Sequence, residues 1–182
     1  LLPTLLHLIP NAPDTQLHGA LKVLADLVED SLSEDQFFSV ARDIVKVVYD
    51  IATNSAKKPT LRALAVLVFR GCFDIMDMVK DEHGPEVKAF ADEAINAWLP
   101  FFLETMKMTL PPRPQSVDEG YESPRREPEG WRGIVALKLQ VVKTLMKIRT
   151  VFPQLLLPQS PVTFSATWAE LSLLQEAFQD MY

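Results

Sequence analysis

Cysteine and histidine are scarce in this sequence, with one cysteine and three histidines among 182 residues. The single thiol of Cys72 excludes an internal disulfide and a metal site built from several cysteines. His7, His18 and His83 fall on different predicted elements, and neither an HExxH motif nor a Cys/His spacing accompanies them. We therefore expect no bound metal ion.

Glycine is also scarce, and its six occurrences form neither a GxGxxG fingerprint nor a phosphate-binding loop. Cys72 lies in the apolar stretch "FRGCFDIM" with no histidine nearby in sequence, so a packing role is favoured over a nucleophilic one. These absences predict a protein that is not an enzyme and that holds no cofactor. An all-helical enzyme would need a pocket of convergent polar groups, which the helical periodicity does not suggest.

Long hydrophobic runs are missing as well. The longest, "ALAVLVF" at 63–69, is closed by Arg70 and is far shorter than the roughly 20 residues that span a bilayer. Basic residues are outnumbered, with 18 Lys and Arg against 24 Asp and Glu and a net charge of -6. This balance argues against direct binding of nucleic acid or of an anionic membrane, and it favours a basic protein partner.

What the sequence does contain is a repeated helical pattern. In "TQLHGALKVLADLVED" the apolar residues recur at the spacing of an amphipathic helix. Ser33 with Gln36 forms a capping box that begins a second helix, "SEDQFFSVARDIVKVVYDIA". Pro59 begins a third helix, and the fourth follows across another short turn. The two pairs are about 44 residues apart, a period typical of HEAT-type repeats.

The pattern predicts an all-α fold, an α-solenoid of about three HEAT-type antiparallel helix pairs plus a leading helix. We expect the chain to be a fragment of a longer array. The Pro-rich stretch beginning "LPPRPQ" is interpreted as a flexible insertion between repeats, because the helical phase resumes beyond it. The expected parts are the second helix of a preceding repeat (1–10), a repeat (15–53), a repeat (58–108), the insertion (109–129) and a further repeat (130–182).

Acidic residues cluster beside the turn within each of the first two helix pairs. In a stacked array such turns line up along one edge, which predicts an acidic edge that binds a basic partner. The alternative is that these acids are solvated helix ends, some of them placed by the helix dipole. The candidates are Asp26, Glu29, Asp30, Glu34 and Asp35 at the first turn, and Asp74, Asp77, Asp81, Glu82 and Glu86 at the second.

The polar faces of the second helices supply a further set of candidates. These side chains are expected to point into the groove of the solenoid, where carboxylates could hold a basic protein. The alternative is that these are simply the solvent-exposed polar side chains that any surface helix carries. The set consists of Asp43 and Asp50 on one helix and Glu86, Glu93 and Asn96 on the other, with Lys46 beside them.

The segment "LHGALKVLADLVED", the helix pairs, the long insertion and the later "VALKLQVVKTLMKIRTVFPQLL" resemble the N-terminal HEAT repeats of the importin-β superfamily, most closely receptors of the importin-9 type. The resemblance implies a receptor that shuttles between cytoplasm and nucleus. Its implied partners are the Ran GTPase, basic cargo such as core histones and ribosomal proteins, and Phe-Gly nucleoporins. The rival interpretation is a HEAT-repeat scaffold of a multiprotein complex that has no Ran-dependent step.

Overall fold

The computed structural model describes residues 2–30, 32–111 and 129–156 of the chain. Within these ranges every regular element is a helix, as expected for an α-solenoid. The helices are α1 (Leu2–Leu8), followed by a 3-10 turn (Ile9–Asn11), α2 (Asp14–Asp30), α3 (Glu34–Thr53), α4 (Pro59–Val79), α5 (Gly84–Lys107), α6 (Glu129–Val151) and the short α7 (Pro153–Leu156).

Local chemistry explains where the central helices begin. The backbone N–H of Ser33 donates to Oε1 of Gln36 at 3.5 Å, and these two residues form the capping box that starts α3. Pro59 is the first residue of α4, and Pro85 lies in the first turn of α5, where the missing N–H of proline has no helical acceptor to lose. The predicted starts of α3 and α4 are therefore confirmed.

Helices α2, α4 and α6 form one layer and run in the same direction. Lys57, just before α4, pairs with Asp14 at the start of α2 across 43 residues, and Val28 near the end of α2 contacts Gly71 of α4. Between α4 and α6, Arg70 donates to Oε1 of Gln140 at 2.8 Å, 70 residues along the chain. The contacting residues lie at equivalent positions along neighbouring helices, so each helix of this layer is parallel to the previous one.

Helices α3 and α5 form the second layer. Three successive contacts along their length join the two helices: Phe37 with Phe90, Arg42 with Glu93, and Tyr49 with Trp98. The partners advance together along both helices, so α3 and α5 are parallel. Because Nε of Arg62 at the start of α4 donates to the carbonyl of Ala52 at the end of α3, each helix of one layer runs antiparallel to its neighbour in the other.

The core lies between the layers and is rich in aromatic rings. Trp98 of α5 stacks on Phe69 of α4, with ring centroids 3.9 Å apart and planes at 14°, and both side chains are fully buried. Phe102 and Phe73 contact the same Phe69 ring edge-on. These ring contacts join α4 to α5 across the core.

Several of the predicted segments lie at the ends of the described ranges or outside them. The predicted leading helix, 1–10, corresponds to α1 and the 3-10 turn, and α6 starts slightly before the predicted first helix of the last repeat. Most of the expected insertion, 112–128, and the second helix of the last pair lie outside the described residues. The division of the helices into repeats stays a prediction. No helix in the described ranges is long and apolar enough to cross a membrane.

Candidate functional site: an acidic edge and two inter-helix grooves

The two acidic turns lie side by side at one end of the molecule. Phe38, in the first turns of α3, packs against His83 of the α4–α5 turn with ring centroids 5.2 Å apart. This contact places the end of α2 and the start of α3 beside the end of α4 and the start of α5. The side chains that share this edge are exposed, and we call them the acidic edge: Asp26, Glu29, Asp30, Asp35, Asp81, Glu82 and Glu86.

Two of the candidate residues near these turns, Glu86 and Glu34, differ from the rest. Glu86 lies 3.5 Å from Nδ1 of His83, on the same turn, and can pair with it when the imidazole is protonated. Glu34 is the first residue of α3, and its side chain is not among those described. Among the described residues, none of the other edge carboxylates forms an ion pair, although the charge of Asp81 interacts with that of the nearby Lys80. A surface with several unpaired carboxylates attracts cations at neutral pH.

Asp74 and Asp77 differ from the other candidates because they are tied to the neighbouring helix. Nζ of Lys147 on α6 lies 2.8 Å from Asp74 and 3.2 Å from Asp77, and Lys80 lies 2.8 Å from Asp77. The hydrogen bonds from Lys80 and then Lys147 lower the pKa of Asp77. The hydrogen bond to Asp74 raises the pKa of Lys147. These two carboxylates connect α4 to α6 and are less available to a partner.

A groove of about 330 Å³ separates α3 from α5. Its walls are aromatic and aliphatic at depth and charged toward solvent, an arrangement that suits an amphipathic chain. We call it the α3–α5 groove, and its lining consists of Arg42, Asp43, Val45, Lys46, Tyr49, Phe90, Glu93, Ala94, Ala97 and Trp98.

One basic side chain already lies against the acidic wall of this groove. Nε of Arg42 donates to Oε2 of Glu93 at 3.2 Å, and both side chains are more than half exposed, at 63% and 61%. The guanidinium carbon of Arg42 lies 5.8 Å from the centre of the Phe90 ring. Carboxylate and ring face together form a cation site that the protein fills with its own arginine.

The inner-face candidates are only partly brought together. Asp43 and Glu93, with Lys46, line the α3–α5 groove. Asp50 and Asn96 are exposed on α3 and α5 but do not line the groove, and Glu86 lies at the acidic edge instead. Whether any of these residues binds a partner stays a prediction.

A second groove, of about 360 Å³, runs between α4 and α6 on the other layer. Arg70, Lys143 and Lys147 line it together with Asp74, Thr150 and Met146, whose side chain is 55% exposed. This groove is shallow and combines basic stems with an exposed thioether. An apolar side chain could lie along these stems.

The sequence did not reveal the basic partners Arg42 and Lys147. Arg42 precedes Asp43 on the predicted polar face of α3, so the helical periodicity is sufficient to place it there. Counting acidic residues does not select it. Lys147 could not be found in this way, because its pairing with Asp74 depends on the register across the insertion. The aromatic floor of Tyr49, Phe90 and Trp98 likewise requires the register of α3 against α5.

The described residues also show how Cys72 is held. The thiol is fully buried, and burial raises its pKa to about 12. Since the thiolate is the reactive form, Cys72 packs as a small apolar side chain, as the sequence suggested. Within the described ranges no three His, Cys, Asp or Glu side chains are grouped closely enough to hold a metal ion.

Comparison with known proteins relates the chain to a nuclear transport protein. No family model matches the sequence. The chain is similar to importin subunit beta-5 of Schizosaccharomyces pombe, with 23% identity over 179 residues and 97% of this chain. It spans 17% of the length of that protein. An alignment over almost the whole chain, on a helical solenoid, supports a relationship between this protein and the importin-β family.

Proposed function

We propose that these residues are part of a nuclear transport receptor that binds basic protein cargo and Ran in its GTP form. The observation that carries this proposal is the alignment of 97% of the chain with an importin subunit. A non-enzymatic role agrees with the solenoid, whose described surfaces are open grooves and a charged edge. A receptor with this role would shuttle between the cytoplasm and the nucleus.

The charges support a basic cargo. The chain has a net charge of -6, and seven exposed carboxylates lie together at the acidic edge. Solenoids bind proteins through extended surfaces, and a field of one sign raises the association rate of an oppositely charged partner. Core histones and ribosomal proteins are cargo of the required charge. The same field disfavours direct contact with nucleic acid or with an anionic membrane.

The α4–α6 groove is a candidate site for Phe-Gly nucleoporins. Met146 is exposed there, and the aliphatic stems of Lys143 and Lys147 line the same surface. A phenylalanine ring could pack against the thioether and these stems, while the glycine backbone stays in water.

The proposal is tested by presenting immobilised full-length protein with purified Ran loaded with GTP or GDP. We expect retention of Ran-GTP only, and release of a pre-bound core histone pair when Ran-GTP is added. Equal retention of both nucleotide forms, or of neither, would favour the scaffold interpretation. A Ran variant unable to bind nucleotide serves as the control for non-specific adsorption.

A further inference from the structure

We propose that the α3–α5 groove is a binding site for an arginine side chain of a protein partner, and that Arg42 occupies this site in the free protein. The inference rests on the proposed function in one respect, which is that the partner is basic. It adds where the partner binds, which of its side chains is bound, and that Arg42 competes for the same site.

The position of Arg42 shows what the site accepts. Its guanidinium meets the carboxylate of Glu93 at 3.2 Å and lies over the face of Phe90, 5.8 Å from the ring centre. A guanidinium is planar, carries several N–H donors and is weakly hydrated, so a carboxylate beside an aromatic face binds it better than an ammonium. The residue that fills the site therefore identifies the class of ligand.

The contact is easily exchanged. Both side chains of the Arg42–Glu93 pair are more than 60% exposed, and an exposed ion pair contributes little stability. Arg42 can rotate into solvent without leaving a buried charge behind. An incoming arginine would make the same contacts with Glu93 and Phe90, and the fold would lose nothing by the exchange.

The groove offers the incoming side chain more than it offers Arg42. Asp43 lines the same groove, is exposed and forms no ion pair with any residue in the described ranges. The groove extends past Phe90 to Ala94, Ala97 and Tyr49, which gives apolar surface to the residue next to the arginine. An extended segment with an arginine beside an apolar residue fits this lining.

Lys46 provides a matched control. It lines the same groove on the same helix as Arg42 and carries the same charge, but it forms no ion pair with Glu93. Removing either positive charge makes the groove more acidic by the same amount. Only removal of Arg42 also vacates the cation site.

The test measures binding of a short arginine-rich peptide to the full-length protein by fluorescence anisotropy. We expect Arg42→Gln to tighten binding by about two- to fivefold more than Lys46→Gln, the range that an exposed ion pair would explain. Adding Glu93→Gln to Arg42→Gln should remove this gain. A peptide with lysine at every arginine should gain less from Arg42→Gln.

Equal gains in Arg42→Gln and Lys46→Gln would overturn the inference, because charge alone would then account for the effect. A gain that survives Glu93→Gln, or no peptide binding by any variant, would overturn it as well. Each of these results leaves the Ran-GTP experiment to judge the proposed function separately. Thermal unfolding followed by circular dichroism confirms that the exposed substitutions leave the fold intact.

Discussion

At the scale of single residues, Trp98 has the most demanding environment in the core. Its ring stacks on Phe69 and touches Tyr49, Phe101 and Phe102 edge-on or at an angle. Its Nε1 is buried and has no hydrogen-bond acceptor among the described residues. An unpaired buried donor costs about 1–3 kcal/mol, so the ring stabilises the fold while its N–H opposes it.

This balance predicts different results for two substitutions. Trp98→Ala should lower the free energy of unfolding by about 3–5 kcal/mol, since it empties the centre of the core. Trp98→Phe keeps a ring against Phe69 and removes the unpaired donor, so its cost should stay below about 1.5 kcal/mol. Urea unfolding followed by circular dichroism measures both. Equal losses for the two variants would contradict the prediction, because a ring stacked on Phe69 would then contribute no more than a methyl group.

At the scale of helices, α2, α4 and α6 approach closely at two glycines. A Cβ on Gly133 of α6 would lie 3.0 Å from Cβ of Pro59, and one on Gly71 of α4 would lie 3.2 Å from Cγ1 of Val28. Both glycines thus permit helix contacts that any side chain would disturb. Gly19 in α2 has open space around it and serves as the comparison.

Alanine substitution should therefore have opposite effects at two glycines. Gly19→Ala should stabilise the protein by about 0.5–1 kcal/mol, because alanine is the better helix former and nothing opposes its methyl group. Gly133→Ala gains the same propensity but must displace Pro59, a backbone-fixed ring, and should destabilise by about 1–3 kcal/mol overall. Urea midpoints of the two variants and wild type measure the difference. A stabilised Gly133→Ala would mean that α4 and α6 separate freely.

The ion pairs of Lys147 also act between α4 and α6, and they have a defined pH dependence. The lowered pKa of Asp77 means that its contribution is present above the unfolded pKa of about 3.9 and is lost as the pH falls through the folded pKa. The raised pKa of Lys147 means that its contribution is present below about 10.4 and is lost as the pH rises through the folded pKa. The ion pairs of Lys147 are therefore fully formed at neutral pH.

Asp77→Asn should consequently destabilise the protein by about 0.5–1 kcal/mol at pH 7, a modest figure because the Asp77 side chain is 34% exposed. The difference from wild type should shrink as the pH is lowered below about 4, where the native carboxyl also becomes neutral. Thermal unfolding at a series of pH values measures it. Asp50→Asn, at an exposed carboxylate on α3, provides the control, and a difference that does not depend on pH would contradict the assignment.

Much of this fold is readable from the sequence, because the apolar spacing and the caps at Ser33 and Pro59 are local signals. The two acidic turns were also readable, since stacking of like repeats places like turns together. The Arg42–Glu93 and Lys147–Asp74 pairs were not, because each depends on the register between helices 51 or more residues apart. Large side chains such as Trp98 and Phe69 set that register. The helical periodicity assigns them to the core but does not say which of them contact one another.

At the scale of the whole molecule, charge is unevenly distributed along the helices. The ends of α2 and α4 and the starts of α3 and α5 carry the acidic edge, whereas the opposite end is mixed in charge, with Lys58, Lys107 and the Lys57–Asp14 ion pair beside Asp50 and Glu104. A long basic partner would therefore be oriented as well as attracted. The field of exposed charges acts over about 10 Å at 0.1 M salt.

Charge reversal at the two ends tests this orientation. Asp30→Lys with Asp35→Lys alters the acidic edge, and Asp50→Lys with Glu104→Lys makes the same change in net charge at the opposite ends of α3 and α5. In the full-length protein, the edge variant should bind a basic cargo such as a core histone pair about tenfold more weakly at low salt. The opposite-end variant should lose much less. The difference should diminish toward 0.5 M salt, since these charges are exposed and screened. Binding measured by titration calorimetry at several salt concentrations decides the matter, and equal losses in the two variants would mean that net charge alone attracts the cargo.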